Sequence, residues 1–221
     1  MLPLRDHEPS ECIPIITIGL ILVNASVFFL EVTSQNLDAF INTWALVPSH
    51  PSLSPLFLRS FITSQFLHGG FAHILFNMWY LWIFGDNVEG RFGHLRFLAF
   101  YLAAGVVAAL AELPFLLGSD IPMLGASGAI AGVLGAYLAL FPRHRVDALV
   151  PTFIGFWTRT TLPASIVLFF WFITQLFSGT AAIVQQTSGG VAWWAHIGGF
   201  VFGWIVARLT SHLSISTRER G

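Results

Sequence analysis

Six long apolar runs divide this chain and together cover more than half of it. About 20 consecutive apolar residues cross the hydrocarbon core of a bilayer as a helix, and each run is close to that length. A spanning segment must satisfy its own backbone hydrogen bonds, which favours a helix for every run. The sequence therefore predicts an all-α membrane protein with six transmembrane helices. The runs cover residues 13–32, 66–85, 95–116, 122–141, 162–183 and 191–210.

Composition excludes a soluble globular domain. Hydrophobic residues make up 55% of the 221 positions and charged residues only 10%, whereas a soluble domain carries about 25% charged residues. The single cysteine, Cys12, excludes an internal disulfide and a cysteine-cluster metal site. The first apolar run lacks the basic start and the small-residue cleavage site of a removable signal peptide, so we expect it to be a retained span.

The positive charges indicate how the chain is oriented in the membrane. An even number of spans places both termini on one side, and nine of the ten arginines then fall on that side, with only Arg59 on the other. Because positive residues in short loops mark the cytoplasmic face, we predict that both termini are cytoplasmic. The chain then divides into a cytoplasmic tail (1–12), a six-helix domain (13–210) and a second cytoplasmic tail (211–221).

Four polar residues lie inside the predicted spans at similar depth. Polar side chains in a membrane are costly, so they are functional candidates. Ser127 and His196 each lie five residues inside an outer boundary, which corresponds to about 7–8 Å along a helix. His73 and Asn77 lie in the outer half of the second span and share one helix face. These groups can therefore meet in one site that opens toward the outside.

Small residues line the helix faces that carry the candidate serine and histidine. Such faces let membrane helices approach closely, and a short serine side chain needs a close approach to reach an imidazole. The small residues are Ala131 and Gly135 on the serine face, and Gly199 and Gly203 on the histidine face. The pattern predicts direct packing of the fourth helix against the sixth.

Ser127 and His196 form a pair suited to the hydrolysis of amides. The serine would attack the carbonyl carbon while the histidine accepts its proton and later protonates the leaving amine. Glu89 lies at the cytoplasmic end of the second span and Glu112 near the outer end of the third. Neither is placed to act as a third triad member, so we predict a dyad rather than a triad. The Asn77 amide, the His73 ring and the Ser127 backbone N–H would stabilise the oxyanion. Each group alone has an ordinary structural explanation, and their combination favours catalysis.

Three motifs make the sequence resemble the rhomboid family of intramembrane serine proteases. The resemblance covers residues 13–208. It implies a six-helix rhomboid bundle with Ser127 as nucleophile, His196 as base and no metal or other cofactor. It also implies oxyanion roles for His73 and Asn77. The motifs are HGGFAHILFN at 68–77, GASG at 125–128, and AHIGG at 195–199 followed by Gly203.

Other positions resemble structural motifs of that family or depart from them. Arg59 resembles the arginine of the family's Trp-Arg motif, and Glu89 with Arg91 resembles its Glu-x-Arg motif. The resemblance implies structural roles for these three. Leu58 stands where the first motif usually has tryptophan. Ala131 stands where many members place an aromatic residue against the catalytic histidine, which leaves that histidine less supported unless a neighbouring helix compensates.

The resemblance also implies the kind of partner. The substrate would be a membrane protein, most simply one with a single span, and the bilayer is the chain's solvent. We expect no nucleic-acid partner, and the oligomeric state stays open. The lack of an Arg- and Ser-rich transit segment favours a bacterial or archaeal plasma membrane. The polar, glycine-bearing loop at 185–190 could act as a lid.

Three alternative functions fit parts of the sequence. A catalytically inactive rhomboid-like protein could bind and escort membrane proteins, but such relatives lack the serine or the histidine that this chain keeps. A small transporter could use His68, His73 and Asn77 as a polar path, although the sequence shows no internal repeat. A zinc protease is disfavoured because His68 and His73 are five apart and do not share a helix face as the histidines of HExxH do.

Overall fold

A computed structural model of the chain describes residues 1–8, 10, 12–49, 51–152, 156–184 and 192–218. A helix of at least 14 residues forms at each of the six predicted apolar runs, and two helices of eight and nine residues form between the first run and the second. In chain order the helices are α1 (Ile15–Val32), α2 (Leu37–Trp44), α3 (Pro55–Thr63), α4 (Phe71–Phe92), α5 (His94–Leu116), α6 (Ser127–Leu140), α7 (Ala164–Val184) and α8 (Trp193–Arg218).

Three of the described helices have the length and composition of a membrane span. They are α1, α5 and the part of α7 from Ala164 to Ala181. Helix α6 is apolar but has only 14 residues. The prediction of a helical membrane protein is confirmed, whereas the number of six spans and the cytoplasmic position of both termini stay predictions.

Helix α6 packs against α4, α5 and α8, and every residue from Gly128 to Tyr137 is buried. Its contact with α8 is made by backbone atoms. A Cβ at Gly203 would lie 1.9 Å from the carbonyl oxygen of Gly132, and a Cβ at Gly199 would lie 2.1 Å from that of Gly128. Side chains at these two positions would therefore force the two helices apart.

The fourth predicted span begins too early, because residues 122–126 are not helical and α6 begins only at Ser127. Met123 pairs instead with Leu46 of the first loop as an isolated antiparallel bridge. Gly125 has a φ of 125°, which lies outside the helical region. Hydropathy cannot distinguish an apolar irregular segment from an apolar helix, which explains the error.

The all-α prediction is wrong in one respect, since a three-stranded antiparallel sheet accompanies the helices. The strands β1 (Leu2–Asp6), β2 (Arg145–Pro151) and β3 (Trp157–Pro163) lie in the order β1-β2-β3. Residues 1–12, predicted as a tail, thus supply the first strand. Strands this short show too little alternation of polar and apolar residues to be recognised in the sequence.

One carboxylate on β2 connects this strand with β3 and with the residue after β1. Asp147 on β2 accepts hydrogen bonds from Thr161 and Arg159 on β3, and its other contact is with His7 at 2.8 Å. The hydrogen bonds from Thr161, Arg159 and His7, in that order of importance, hold the pKa of Asp147 well below its usual range. The carboxylate therefore stays charged and fixes the chain after β1 to the β2–β3 hairpin.

The first loop is ordered by Arg59, although Leu58 replaces the expected tryptophan. The guanidinium of Arg59 lies 4.6 Å from the ring centroid of Trp44 at the end of α2, and it donates a hydrogen bond to the carbonyl oxygen of Thr43 at 3.2 Å. Such cation–π contacts favour a fixed packing of the two groups. The aromatic partner of Arg59 therefore comes from α2, and Leu58 itself is exposed.

Glu89 connects α4 with the starts of two other helices. Its carboxylate accepts hydrogen bonds from the backbone N–H groups of Ile16 and Thr17, both at 2.8 Å, and lies 2.6 Å from the Nδ1 atom of His94. The first N–H groups of a helix lack partners within it, so Glu89 satisfies them for α1. Arg91 lies in the last turn of α4.

We predict that Gly203→Ala lowers the thermal stability of the purified protein in detergent, whereas Gly19→Ala does not. The added methyl at position 203 would overlap the backbone of α6, and overpacking of this kind costs about 1–3 kcal/mol. Nothing lies within 4 Å of a Cβ at Gly19, so that variant controls for the change of residue type in a helix. Equal melting temperatures for the two variants would contradict the proposed backbone contact.

Candidate active site

Ser127 is the first residue of α6 and follows a segment that requires glycine. The φ of 125° at Gly125 disfavours other residues, and a Cβ there would lie 2.8 Å from Cε1 and 2.9 Å from Nε2 of His73. The backbone thus passes directly beside the imidazole. The first N–H groups of a helix have no partner within it, so the N–H of Ser127 is a possible donor to a ligand.

His196 lies in the first turn of α8 and is buried. Its Nδ1 atom lies 2.7 Å from Oε1 of Gln175 on α7. The rings of Trp171 and Trp193 lie 5.9 Å and 6.3 Å from the imidazole, measured between ring centroids. Helix α7 and the start of α8 therefore supply the support that the small side chain of Ala131 does not.

Ser127, His196 and Asn77 line one cavity of about 260 Å³. Within the part of the chain that the structure describes, the serine hydroxyl and the imidazole are not hydrogen-bonded to each other. Catalytic hydrogen bonds are often long in an empty site and shorten when substrate binds. The cavity thus brings together three of the four polar residues predicted from the sequence.

Asn77 and His73 lie one turn apart on α4, and each presents a donor. The buried Nδ2 of Asn77 has no hydrogen-bond partner among the described residues, which is costly unless a ligand accepts from it. The Nδ1 of His73 accepts from the backbone N–H of Gly69 at 3.3 Å. A neutral imidazole then carries its proton on Nε2. A Cβ at Gly125 would lie 2.9 Å from this atom and 3.7 Å from the hydroxyl oxygen of Ser127.

Glu112 lies closer to the site than the sequence indicates. Its buried carboxylate accepts a hydrogen bond from the backbone N–H of Ala195 at 2.8 Å. A carboxylate at this place caps the first turn of α8, the turn that carries His196. Glu112 therefore contacts the backbone beside the histidine, while Oε1 of Gln175 is the hydrogen-bond acceptor at the ring.

His68, the third histidine near the site, is also buried, and its backbone N–H donates to Glu31 at the end of α1 at 3.1 Å. Neither ring nitrogen has a hydrogen-bond partner among the described residues. The ring packs edge-on against His73, with centroids 5.2 Å apart. His68 thus lies behind His73 and does not line the cavity that holds Ser127.

Gln175 and Leu2 are two of the cavity residues that the sequence analysis did not single out. Gln175 lies inside the fifth apolar run, where any polar residue is a functional candidate, so the criterion that selected Ser127 applies to it as well. Leu2 also lines the cavity, and no pattern in the sequence indicates that β1 would reach it. The loop at 185–190, proposed as a lid, lies outside the described residues.

Comparison with known families agrees with the motifs and the bundle. A family model described as a Rhomboid domain matches residues 57–213, which is more than half of the chain. The chain therefore belongs to the rhomboid family.

Individual relatives come from a bacterium and from mitochondria. The chain is 36% identical to Rhomboid protease GluP of Bacillus subtilis over 146 residues, which are 66% of this chain and 25% of that protein. It is 32% identical to Rhomboid protein 1, mitochondrial, of Saccharomyces cerevisiae, covering 67% of this chain and 42% of the relative. It is 29% identical to the human Presenilin-associated rhomboid-like protein, mitochondrial, covering 85% and 46%. The chain thus spans less than half of these relatives.

We predict that Gly125→Ala slows the reaction of Ser127 with a fluorophosphonate, whereas Gly118→Ala does not. Both glycines have a positive φ, so both variants carry backbone strain of about 1–3 kcal/mol. Only at position 125 would the methyl displace His73, because nothing lies within 4 Å of a Cβ at Gly118. Gel fluorescence measures the rate. Equal labelling of the two variants would show that the close approach of Gly125 to His73 is unimportant.

Proposed function

We propose that this chain is an intramembrane serine endopeptidase that uses Ser127 and His196 to cleave membrane-spanning proteins. The observation that carries the proposal is the cavity that a serine at a helix start and a buried histidine share with Asn77. Nδ2 of Asn77 has no hydrogen-bond partner in the described part of the chain. Membership of a family that includes a protein named Rhomboid protease GluP supports the same function.

The reaction follows from the positions of these groups. The Oγ of Ser127 forms a bond to the scissile carbonyl carbon while Nε2 of His196 takes the hydroxyl proton. The C–N bond then breaks, and His196 returns that proton to the leaving amine. Water hydrolyses the resulting ester, with its proton passing through His196 to Ser127.

The oxyanion of each tetrahedral intermediate needs donors that are already in place. Nδ2 of Asn77, Nε2–H of His73 and the backbone N–H of Ser127 are the three donors in this proposal. The unpaired state of the Asn77 amide supports the first of these roles, and the position of the His73 ring beside Gly125 supports the second. One such donor typically lowers the barrier by about 3–4 kcal/mol.

The proposed substrate is a protein with a single membrane span. A helix inside the bilayer hides its peptide bonds in its own hydrogen bonds, so the span must unwind locally before Ser127 can reach a carbonyl. Residues that weaken a helix near the cleavage site would therefore favour cleavage.

The proposal includes six spans, cytoplasmic termini and a site that opens to the opposite side. The one-sided distribution of the arginines supports this orientation. The chain is a membrane protein, and its location in a bacterial or archaeal plasma membrane stays a prediction, because the relatives include both bacterial and mitochondrial proteins.

We expect purified protein in detergent to cleave a model single-span substrate, and Ser127→Ala or His196→Ala to reduce cleavage by about 10³-fold or more. Ser26→Ala is a matched control, because that exposed hydroxyl in α1 donates to the carbonyl oxygen of Leu22 and does not line the cavity. Gel analysis of the products measures the rate.

Two outcomes would contradict the proposed function. Equal cleavage by the wild type and Ser127→Ala would exclude Ser127 as the nucleophile. Binding of the substrate without cleavage by the wild type would favour the alternative of an inactive rhomboid-like escort protein.

A further inference from the structure

Gln175 makes the hydrogen bond that is expected of a third catalytic-site residue. It lies on α7, 21 positions before His196 in the chain, and its Oε1 is 2.7 Å from Nδ1 of that histidine. Both side chains are buried, with 7% and 9% of their surface exposed. The bond is therefore shielded from water. Hydrogen bonds are stronger in the protein interior than in water.

The other end of the Gln175 amide fixes which atom faces the histidine. Its Nε2 donates to the carbonyl oxygen of Trp171 and to the hydroxyl of Thr174, both at 3.2 Å. The oxygen thus points at the imidazole, and an amide oxygen can only accept. Nδ1 of His196 must then carry a proton, which leaves the lone pair on Nε2 for the serine.

We propose that Gln175 is a positioning residue that holds His196 in the tautomer and orientation needed to activate Ser127. The inference rests on the proposed function and deepens it. In a serine–histidine–aspartate triad a carboxylate has this role. Here a neutral amide performs it, which avoids the cost of a further charge inside a membrane span.

The surroundings of the ring leave this role to Gln175. Trp171 and Trp193 pack on the imidazole but do not fix the protonated nitrogen. Among the described residues, the titratable side chains near the ring on adjoining helices are His73 and Tyr80 on α4 and Glu112 on α5. The carboxylate of Glu112 is bonded to the backbone N–H of Ala195, and Nδ1 of His73 accepts from Gly69.

The test compares Gln175→Leu and Gln175→Glu with the control Thr180→Val, using cleavage of a single-span substrate across a range of pH. Thr180 lies on α7, its hydroxyl donates a hydrogen bond to the carbonyl oxygen of Leu176, and it does not line the cavity. We expect Gln175→Leu to lower kcat by about 10²-fold, the lower end of the range for acid–base catalysis, with little change in KM.

Gln175→Glu distinguishes a role of Gln175 in orienting His196 through a hydrogen bond from a role in packing alone. The carboxylate restores an acceptor, so we expect most of kcat to return. A negative charge favours the imidazolium, whose formation removes the base, so the acid limb of the activity profile should move to higher pH. Thr180→Val should behave as the wild type in both respects, and melting temperatures show whether each variant is folded.

An unchanged kcat in folded Gln175→Leu would overturn the proposal. An equal loss of kcat in both Gln175 variants, with the acid limb of the pH–activity profile at its wild-type position, would overturn it as well. These results require an active wild type, so they would leave the proposed function intact. A wild type that cleaves no better than Ser127→Ala would instead contradict the proposed function itself.

A second inference comes from the wall of the cavity. Beyond the polar groups the cavity is lined by apolar or aromatic side chains, most of them on α4, α6 and α7. They are Leu2, Phe76, Tyr80, Ile130, Leu134 and Trp171. Leu2 alone comes from outside the helices, because it belongs to strand β1.

Several contacts hold β1 beside the cavity. Leu2 pairs with Leu149 on β2, and the indole N–H of Trp79 on α4 donates to the carbonyl oxygen of Pro3 at 2.8 Å. At the other end of the strand, Asp6 accepts from the hydroxyl of Tyr137 on α6. The strand is therefore attached to both α4 and α6, the helices that carry Asn77 and Ser127.

A shift in the strand register separates Leu2 from its neighbour Leu4. The pairing with β2 shifts between Pro3 and Arg5, and Leu4 lines a different cavity of about 300 Å³ together with Asp86. The geometry points to Leu2 as a specificity-determining residue, which limits the size of the substrate side chain that the cavity holding Ser127 accepts. This inference also rests on the proposed function.

The test uses two single-span substrates that differ only in Ala or Phe at the residue whose carbonyl is attacked. A change of one methylene in an apolar pocket alters discrimination by about 10–200-fold. We therefore expect Leu2→Ala to raise the Phe/Ala ratio of kcat/KM by about tenfold or more, and Leu2→Phe to lower it.

Leu4→Ala is the matched control and should keep the wild-type ratio. An unchanged ratio in Leu2→Ala, or the same change in Leu4→Ala, would overturn the role of Leu2. Either result needs measurable cleavage by the wild type, so it would not affect the assignment of Ser127 and His196.

Discussion

Direct contact between the backbones of α6 and α8 determines where the groups of the candidate site lie. Glycines at 135, 199 and 203 allow it, since a Cβ at any of these positions would lie within about 2 Å of a carbonyl oxygen on the facing helix. Ser127 begins one helix and His196 lies in the first turn of the other. A wider separation would remove the serine from reach of the imidazole, whatever the remaining contacts.

The three buried glutamates of the described helices bond to backbone N–H groups near helix ends rather than to the ring of His196. Glu89 accepts from the first N–H groups of α1, Glu112 accepts from the first turn of α8, and Glu31 accepts from the backbone of His68. Each carboxylate thus replaces lost solvent contacts with backbone donors. His196 has a neutral partner in Gln175, so the only described hydrogen bond to its ring adds no further charge.

The helices, and Ser127, His196 and Asn77 in the cavity, could be predicted from the sequence. The elements that hold them in place, such as the turn at Gly125, strand β1 and Gln175, could not. A run of about 20 apolar residues matches the length of a membrane-spanning helix, so the helices could be predicted from hydropathy alone. The start of α6 was misplaced because the turn at Gly125 is as apolar as a helix. Strand β1 was missed because its partner β2 lies more than 130 positions away, and local patterns cannot reveal such pairing. Gln175 was missed because no recognised motif contains it.

The structure of the protein after reaction with a fluorophosphonate would test this arrangement most directly. We expect the phosphorus on Oγ of Ser127, with the phosphonyl oxygen about 2.7–3.1 Å from Nδ2 of Asn77 and Nε2 of His73. His196 should keep its hydrogen bond to Gln175. An adduct on another residue, or a phosphonyl oxygen directed away from both donors, would contradict the assignment of the site.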